Sequence, residues 1–425
     1  MGKTDRFMIP KRYWLVFGTF LLSMLLYVDR VCIAVAGNSV TADLQLTPKQ
    51  FSWVLSAFAL GYALCQTPSG ILADRFGPRR ILTAVVAFWS LFTGLTAMAW
   101  NLTSLLIFRV LFGAGEAGAF PGCARAFYSW LPMPERGLAQ GINFSGSRLG
   151  AAFALPVVAA MVSKFGWRPS FVLLAVVGLV WSVFWYSWFR DRPEEDPRLS
   201  ESEKSLILST RQQTAGDGED APKLTAGALF GSRNMWLISF QYFCSNYTFF
   251  FCLSWMFTHL EETYKLDVVK TGLYASVPLL CGAAGSWVSG AMVDGIYRRG
   301  FWTLSRRLPA IFGFILVVVG LIGIVEATTI TTAIICLSIA VFGADMTLSP
   351  SWSLCIDIGR RNAGAVSGTM NMAGNLGAFV TPFAFAYLKD WTGTTVSFFY
   401  LGAALSFLGA LTWFVIHPQR PLEEW

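Results

Sequence analysis

The chain has 425 residues, 55% of them apolar and 13% charged, about half of the roughly 25% charged share of an ordinary soluble domain. That composition excludes water as the main solvent. The net charge of +7 would suggest nucleic acid in a soluble protein, but the positive residues gather in short segments between apolar stretches, so membrane topology accounts for them and no nucleic-acid partner is expected.

Crossing hydrocarbon as a helix takes about 20 apolar residues. Stretches of that kind run at 13–36, 51–72, 80–100, 102–128, 137–163, 169–189, 234–260, 271–293, 307–325, 329–356, 363–388 and 394–416. The sequence therefore predicts twelve spans. The first follows Lys3, Arg6, Lys11 and Arg12 and ends in Ala34-Val35-Ala36, the small-residue pattern of a cleavage site. It is long for a signal peptide and Asp29-Arg30 interrupts its core, so it reads as span one.

Basic residues alternate in side. Those ahead of span one, Arg75, Arg79 and Arg80 after span two, Arg125 and Arg136 around the four–five loop, Arg298, Arg299, Arg306 and Arg307 between eight and nine, Arg360 and Arg361 after ten, and Arg420 share one face. The other holds only Lys49, Lys164, Arg168, Lys265, Lys270 and Lys389. The positive-inside rule then puts both termini in the cytoplasm, with a bacterial inner membrane as the expected location.

Residues 190–233 form the one long polar stretch, from Pro193-Glu194-Glu195-Asp196-Pro197 to Ala215-Gly216-Asp217-Gly218. It divides six spans from six: an N-terminal bundle over 1–189, a cytoplasmic linker over 190–233 and a C-terminal bundle over 234–425. Leu206, Ile207 and Leu208 among charges predict a surface helix within the linker. The halves echo one another. Gly70-Ile71-Leu72-Ala73-Asp74 with Arg79-Arg80 after span two recurs as Gly290-Ala291-Met292-Val293-Asp294 with Arg298-Arg299 after span eight, and Asn143 to Pro156 in span five resembles Asn371 to Pro382 in span eleven. Duplicated bundles around a midplane site are the usual plan of a rocking-bundle transporter.

Gly70-x-x-x-Asp74-Arg75-x-Gly77-x-Arg79-Arg80 resembles the signature loop of the major facilitator superfamily, and Asp294 falls where that family repeats it. The resemblance covers the whole chain and implies an all-α integral membrane fold of twelve helices in two pseudo-symmetric six-helix bundles. In that loop an aspartate accepts hydrogen bonds from a neighbouring helix end while the arginines hold an inner gate. Tyr27-x-Asp29-Arg30 in span one and Arg109-x-x-x-Gly113-x-Gly115-Glu116-Ala117 in span four resemble the anion:cation symporter branch. Its members carry sugar acids such as galactonate, glucarate and hexuronates, and also tartrate, aromatic acids, sialic acid and glutamate. Most bacterial members couple uptake to protons.

A charge at mid-bilayer costs about 2.5–3.5 kcal/mol on insertion scales, so the buried charges need a reason. Arg30 and Arg109 lie at matching depths by residue count, which suggests two guanidiniums converging on one substrate carboxylate. Glu116 is seven residues beyond Arg109, on nearly the same helix face. The expected roles are substrate binding for Arg30 and Arg109 and proton coupling for Glu116 and Asp29, as the resemblance also implies; a purely structural ion cluster between spans one and four is the alternative. Tyr62, Tyr242 and Asn246 lie near mid-depth, where hydroxyls and amides read polyhydroxylated ligands or simply join helices. By resemblance Tyr62, Ser349, Ser351, Trp352 and Asn371 or Asn375 are substrate contacts. Residue counting sets Trp352 nearer the cytoplasm than a midplane site requires, with Pro350 expected to distort span ten.

Two positions depart from the family pattern. Ser147-Arg148 stands where galactonate carriers offer a Gln, and Asp345 has no counterpart. Arg148 either engages the second carboxylate of a diacid or pairs with an acid from another span; Asp345 is either an ion-pair partner or a proton carrier. The eight cysteines and two histidines form no ligand motif, so neither metal nor cofactor is expected. An enzyme would need a nucleophile or metal constellation, and a receptor an added signalling domain. The chain reads as a monomeric carrier of a small organic anion by proton symport, with uniport or anion exchange as the alternative mode.

Overall fold

The computed structural model describes residues 9–210, 212, 225–254, 256–265 and 268–422, and every regular element among them is helical. The Ala215–Gly218 run of the linker and Lys3 and Arg6 lie outside the described residues. Twelve long helical segments follow in order. Spans one to six are Lys11–Val35, Pro48–Phe76, Pro78–Thr96, Leu102–Glu116 continued by Ala119–Trp130, Arg136–Phe165 and Trp167–Trp188. Spans seven to twelve are Arg233–Ser254, Val268–Arg298, Trp302–Val325, Ile330–Met346 continued by Leu348–Gly359, Ala363–Thr392 and Val396–Val415.

Length and apolarity alone single out seven membrane-crossing segments, or eight with the pair Met133–Ala154 and Pro156–Phe165, bent by 42°. One of the seven, Ile330–Thr392, has 63 residues, enough for two crossings of about 20, and holds spans ten and eleven. Spans two, three and seven fall short of that test. Span three is 19 residues long with two arginines in its first turn, and span seven carries Gln241, Tyr242, Ser245 and Asn246, whose polarity serves the interior.

Two spans break for one reason. Proline donates no N–H and its ring crowds the carbonyl four residues back, so Pro121 frees the carbonyl of Ala117 and Pro350 that of Met346. Span four is interrupted between Glu116 and Ala119, and span ten at Thr347. The hydroxyl of Ser289 in span eight donates to the Met346 carbonyl, as a backbone group in hydrocarbon requires. The expected distortion of span ten is thus a break three residues before Pro350.

Spans one to six pack on one another and seven to twelve do the same, through pairs such as one with five, two with four, nine with ten and seven with eleven. Small residues let these helices close up: a Cβ on Gly146 would meet the Phe20 carbonyl oxygen at 2.5 Å and one on Gly377 that of Phe243 at 2.6 Å. The linker contributes the helix Glu201–Thr210, where Ile207 is buried and Leu206 exposed. Glu203 on that helix accepts the backbone N–H groups of Lys11 and Arg12 at 3.1 and 3.2 Å, so the linker caps the start of span one. Trp14, Trp100, Trp236 and Trp391 are exposed at span ends, as an interfacial belt requires. Trp167 instead is buried, its Nε1 donating to Asp43.

The bundles meet along spans two and eleven and spans five and eight. Their contacts cluster on the face that carries the arginine-rich loops, hereafter the basic face. There Gly70 lies against the backbone of Gly364, and Gly290 against that of Gly137. Side chains at these four positions would hold the bundles apart.

Candidate functional site

The signature aspartates sit at the two inter-bundle seams. Asp74, at the end of span two, accepts the N–H groups of Gly364 and Ala365 at 2.8 and 2.7 Å, in the first turn of span eleven. Asp294, near the end of span eight, accepts those of Gly137 and Leu138, both at 2.8 Å, in the first turn of span five. Each bundle therefore caps a helix of the other. A carboxylate there meets both the unpaired N–H groups and the positive end of the helix dipole.

Arg298 at the end of span eight adds to this closure, its Nη2 donating to the Pro134 carbonyl of the first bundle at 3.4 Å, but Arg79 does not join it. Arg79 turns back into its own bundle, its Nε donating to the Tyr186 carbonyl at 2.8 Å and its backbone N–H to Asp191 at 2.7 Å. Burial still pushes the Asp191 carboxyl, in the loop after span six, above its ordinary range. Gly77, with φ of 83°, makes the sharp turn between spans two and three, and Arg75 and Arg80 are exposed. The cations at the seam are others. Arg136 of span five reaches Asp357 of span ten at 2.9 Å, Arg306 of span nine reaches the second oxygen at 2.8 Å, and all three side chains are fully buried. Arg136 and Arg306 counted as loop positives in the sequence; an aspartate in the last turn of span ten was the signal that they had a partner.

Above this closed seam, near mid-depth, lies a narrow cavity of about 40 Å³, room for a few waters in this closed shape. It draws on both bundles. Arg30, Tyr62 and Arg148 come from the first, Tyr242, Asn246, Asn371 and Asn375 from the second. Arg30 is held by a cage of rings, its Cζ 4.3 Å from the centroid of Tyr62, 4.8 Å from Phe58 and 5.0 Å from Tyr27. Its Nε donates to Glu116 Oε2 at 2.6 Å. Glu116 ends the first half of broken span four and is wholly shielded, and its Oε1 has no hydrogen-bond partner among the described residues. Asp29, one residue before Arg30, turns away from the cavity and accepts Trp89 Nε1 at 3.1 Å.

Arg109 is not on the cavity wall. Its Cζ lies 4.6 Å from the Phe112 centroid and 5.3 Å from Phe58, so Phe58 is approached by both guanidiniums. The convergence of Arg30 and Arg109 on one carboxylate is not what the geometry offers: matched depth fixes height along the helices, not the face that each residue presents. Ser147 is fully buried off the cavity. Ser349 donates to the Ser286 carbonyl at 3.3 Å, and Ser351 accepts from Gln241 at 3.1 Å, so both join helices of the second bundle. Trp352 lies under the floor, its ring 5.1 Å from Phe144 and 5.8 Å from Phe120, and its Nε1 donates to the Tyr242 hydroxyl at 3.0 Å. It thereby orients a wall residue, on the basic-face side as counting suggested. Asn371 Nδ2 donates across the bundle boundary to the Tyr62 hydroxyl at 3.4 Å.

The two departures from the family pattern meet each other. Arg148 forms a two-pronged pair with Asp345, Nε to Oδ2 at 2.8 Å and Nη2 to Oδ1 at 2.5 Å, and both line the cavity. Sequence reading named both residues without joining them. The missed signal was spacing: Glu116 precedes Pro121 by five residues, and Asp345 precedes Pro350 by five. Tyr27, Phe120 and Phe144 also line the cavity, and nothing in their pattern separated them from ordinary packing aromatics.

Two pseudo-symmetric helix bundles, hydrogen-bonded shut on one face around a polar and charged midplane cavity, define a secondary transporter rather than an enzyme. The chain belongs to the major facilitator superfamily, whose family model matches residues 19–382. A probable sulfoacetate transporter of Cupriavidus necator is 34% identical, over 98% of this chain and 96% of its own. A probable galactarate/D-glucarate transporter of Escherichia coli is 31% identical, over 89% of this chain and 88% of its own. Among solved structures, a proton:xylose symporter bound to 6-bromo-6-deoxy-D-glucose superposes with a TM-score of 0.76 at 14% identity, over 97% of this chain and 98% of the other.

Proposed function

We propose that the chain takes up a small organic anion by proton symport through alternating access, as a monomer in a bacterial inner membrane with the basic face and both termini in the cytoplasm. The substrate class is that of sugar acids such as galactonate, glucarate and hexuronates. The similarity to a sulfoacetate carrier extends it to short sulfonates.

One observation carries this reading: a cavity-lining guanidinium is bonded to a carboxylate that water does not reach. Arg30 anchors the substrate's anionic group, for which its planar fork is suited. That group competes with Glu116 for the same cation. A carboxylate left buried without its partner costs several kcal/mol, so Glu116 gives up Arg30 by taking a proton. Substrate and proton then enter as one neutral load. Asp29, next in chain to Arg30 and bonded to Trp89, is a second proton site. Arg109 acts from behind Phe58 as a fixed positive charge close to the two acids. Tyr62, Tyr242, Asn246, Asn371 and Asn375 supply the hydroxyl and amide contacts that read the substrate's oxygens.

The test is proteoliposome transport with Glu116→Gln. Uptake driven by a proton gradient disappears, while exchange of external for internal substrate persists. Adding substrate to de-energised cells turns the medium alkaline with the wild type and not with the variant. Gradient-driven uptake by Glu116→Gln refutes the assignment, and uptake without alkalinisation favours uniport or exchange.

A further inference from the structure

Arg148 and Asp345 repeat, from the other wall of the cavity, the arrangement of Arg30 and Glu116. The likeness begins in the chain. Glu116 and Asp345 each stand five residues before a proline, Pro121 and Pro350, and each lies at or one residue before the end of the first half of a broken span. Each is bonded to an arginine from another span that lines the cavity. Tyr27 touches both cations, its ring 5.0 Å from Arg30 Cζ and its hydroxyl facing Arg148.

The two pairs differ in where they lie. Arg30 and Glu116 belong to one bundle, whereas Arg148 is on span five and Asp345 on span ten, so the second pair ties the bundles together across the cavity. Both of its side chains are at least nine-tenths buried, and the Arg148 guanidinium carbon lies over the Phe249 ring, 3.7 Å from its centroid. Such a pair opens only to a group that replaces what Arg148 loses. A hydroxyl or aldehyde does not; a second anionic group does, because it too meets the guanidinium with two oxygens.

We propose that Arg148 is a second anion clamp and that the preferred substrate is a dianion, a small dicarboxylate or sulfocarboxylate with one charged end on Arg30 and the other on Arg148. Asp345 is the internal stand-in that keeps Arg148 paired when the second end is absent; displaced by that end it takes a second proton, as Glu116 takes the first, so a dianion also enters as a neutral load. This rests on the reading of the cavity as an organic-anion site. A mono-anion engages Arg30 alone and leaves the inter-bundle tie in place; a dianion engages both and removes it.

The experiment compares matched substrates that differ in one charge, galactarate with galacturonate and sulfoacetate with isethionate, in proteoliposomes. The wild type prefers each dianion by at least about tenfold in kcat/KM, the weight of one charge-assisted hydrogen-bonding group. In Arg148→Gln/Asp345→Asn, which leaves neither charge stranded, that ratio falls by at least about tenfold. If the wild type carries galacturonate and isethionate as well as their dianionic partners, the dianion proposal is wrong while the anion reading stands. A double variant with the wild-type ratio overturns it too, reducing the pair to a structural brace. Failure of the wild type to bind or move any of the four removes the underlying reading as well.

Discussion

Asp74→Asn probes the closure of the basic face. In the wild type the Asp74 carboxylate accepts two N–H groups from span eleven at 2.8 and 2.7 Å, each charge-assisted bond contributing about 1.5–3 kcal/mol. Asparagine keeps one acceptor oxygen and loses the charge, so one bond goes and the other weakens to a neutral one, with about 0.3–1 kcal/mol of helix-dipole attraction lost besides. Against this, a neutral amide is cheaper to bury than a carboxylate. The Arg125 contact, at 3.8 Å, lies within the first bundle, so it is present in both states and drops out of the difference. The net is about 2 kcal/mol against the closed face, a shift of roughly 30-fold in its opening equilibrium. Hydrogen–deuterium exchange reads this directly, because the amides of Gly364 and Ala365 are the groups that Asp74 protects. Since the bundles move as bodies, Gly137 and Leu138, capped by Asp294 at the other seam, must gain exchange by a similar factor. Faster exchange at 364–365 alone would mean local fraying and refute the two-latch account; no change at either would refute the role of Asp74.

Asp294→Asn accelerates the same two segments by about the same factor, and the double variant by more than either single one, in the same exchange measurement. Gly77→Ala forces a side chain onto a φ of 83° and into the Asp191 carboxylate, costing about 1–2 kcal/mol; a thermal-unfolding shift of a few degrees in detergent tests it. Ser289→Ala strips the donor from the Met346 carbonyl and destabilises by about 1–3 kcal/mol, against a near-neutral change for the same substitution at exposed Ser163. Tyr62→Phe removes the acceptor for Asn371 and raises KM by about 2- to 10-fold, the range for a neutral hydrogen bond, with proton-coupled uptake retained.

The spans and the seam aspartates were readable because their signals are local. Hydropathy repeats over about 20 residues, and a glycine four residues before each signature aspartate recurs in both halves. What failed were inferences about direction around a helix axis. Arg109 and Arg30 match in depth, yet Arg109 faces Phe112 and Phe58 rather than the cavity. Ser349 and Ser351 lie in the right span but hold helices together. Charge and position singled out the signature-loop arginines Arg75, Arg79 and Arg80 for the gate, but did not show that Arg136, Arg306 and Asp357 are buried together there or that Arg298 reaches across. Pairings between distant spans leave no trace in one sequence unless symmetry supplies it, as the acid-to-proline spacing did for Asp345.

The crossed capping at the seams has a consequence for the solvent. When the basic face opens, two carboxylates and the four N–H groups they held, together with the Arg136 and Asp357 side chains, exchange partners within the protein for water. Water is therefore a reactant in the transport cycle, taken up on opening and released on closing, and the equilibrium between the two shapes follows its activity. Solutes excluded from protein surfaces favour the state that exposes less of it. A concentrated osmolyte on the basic side holds that face shut without occupying any site, so hyperosmotic conditions there slow turnover even when substrate and proton gradients are unchanged.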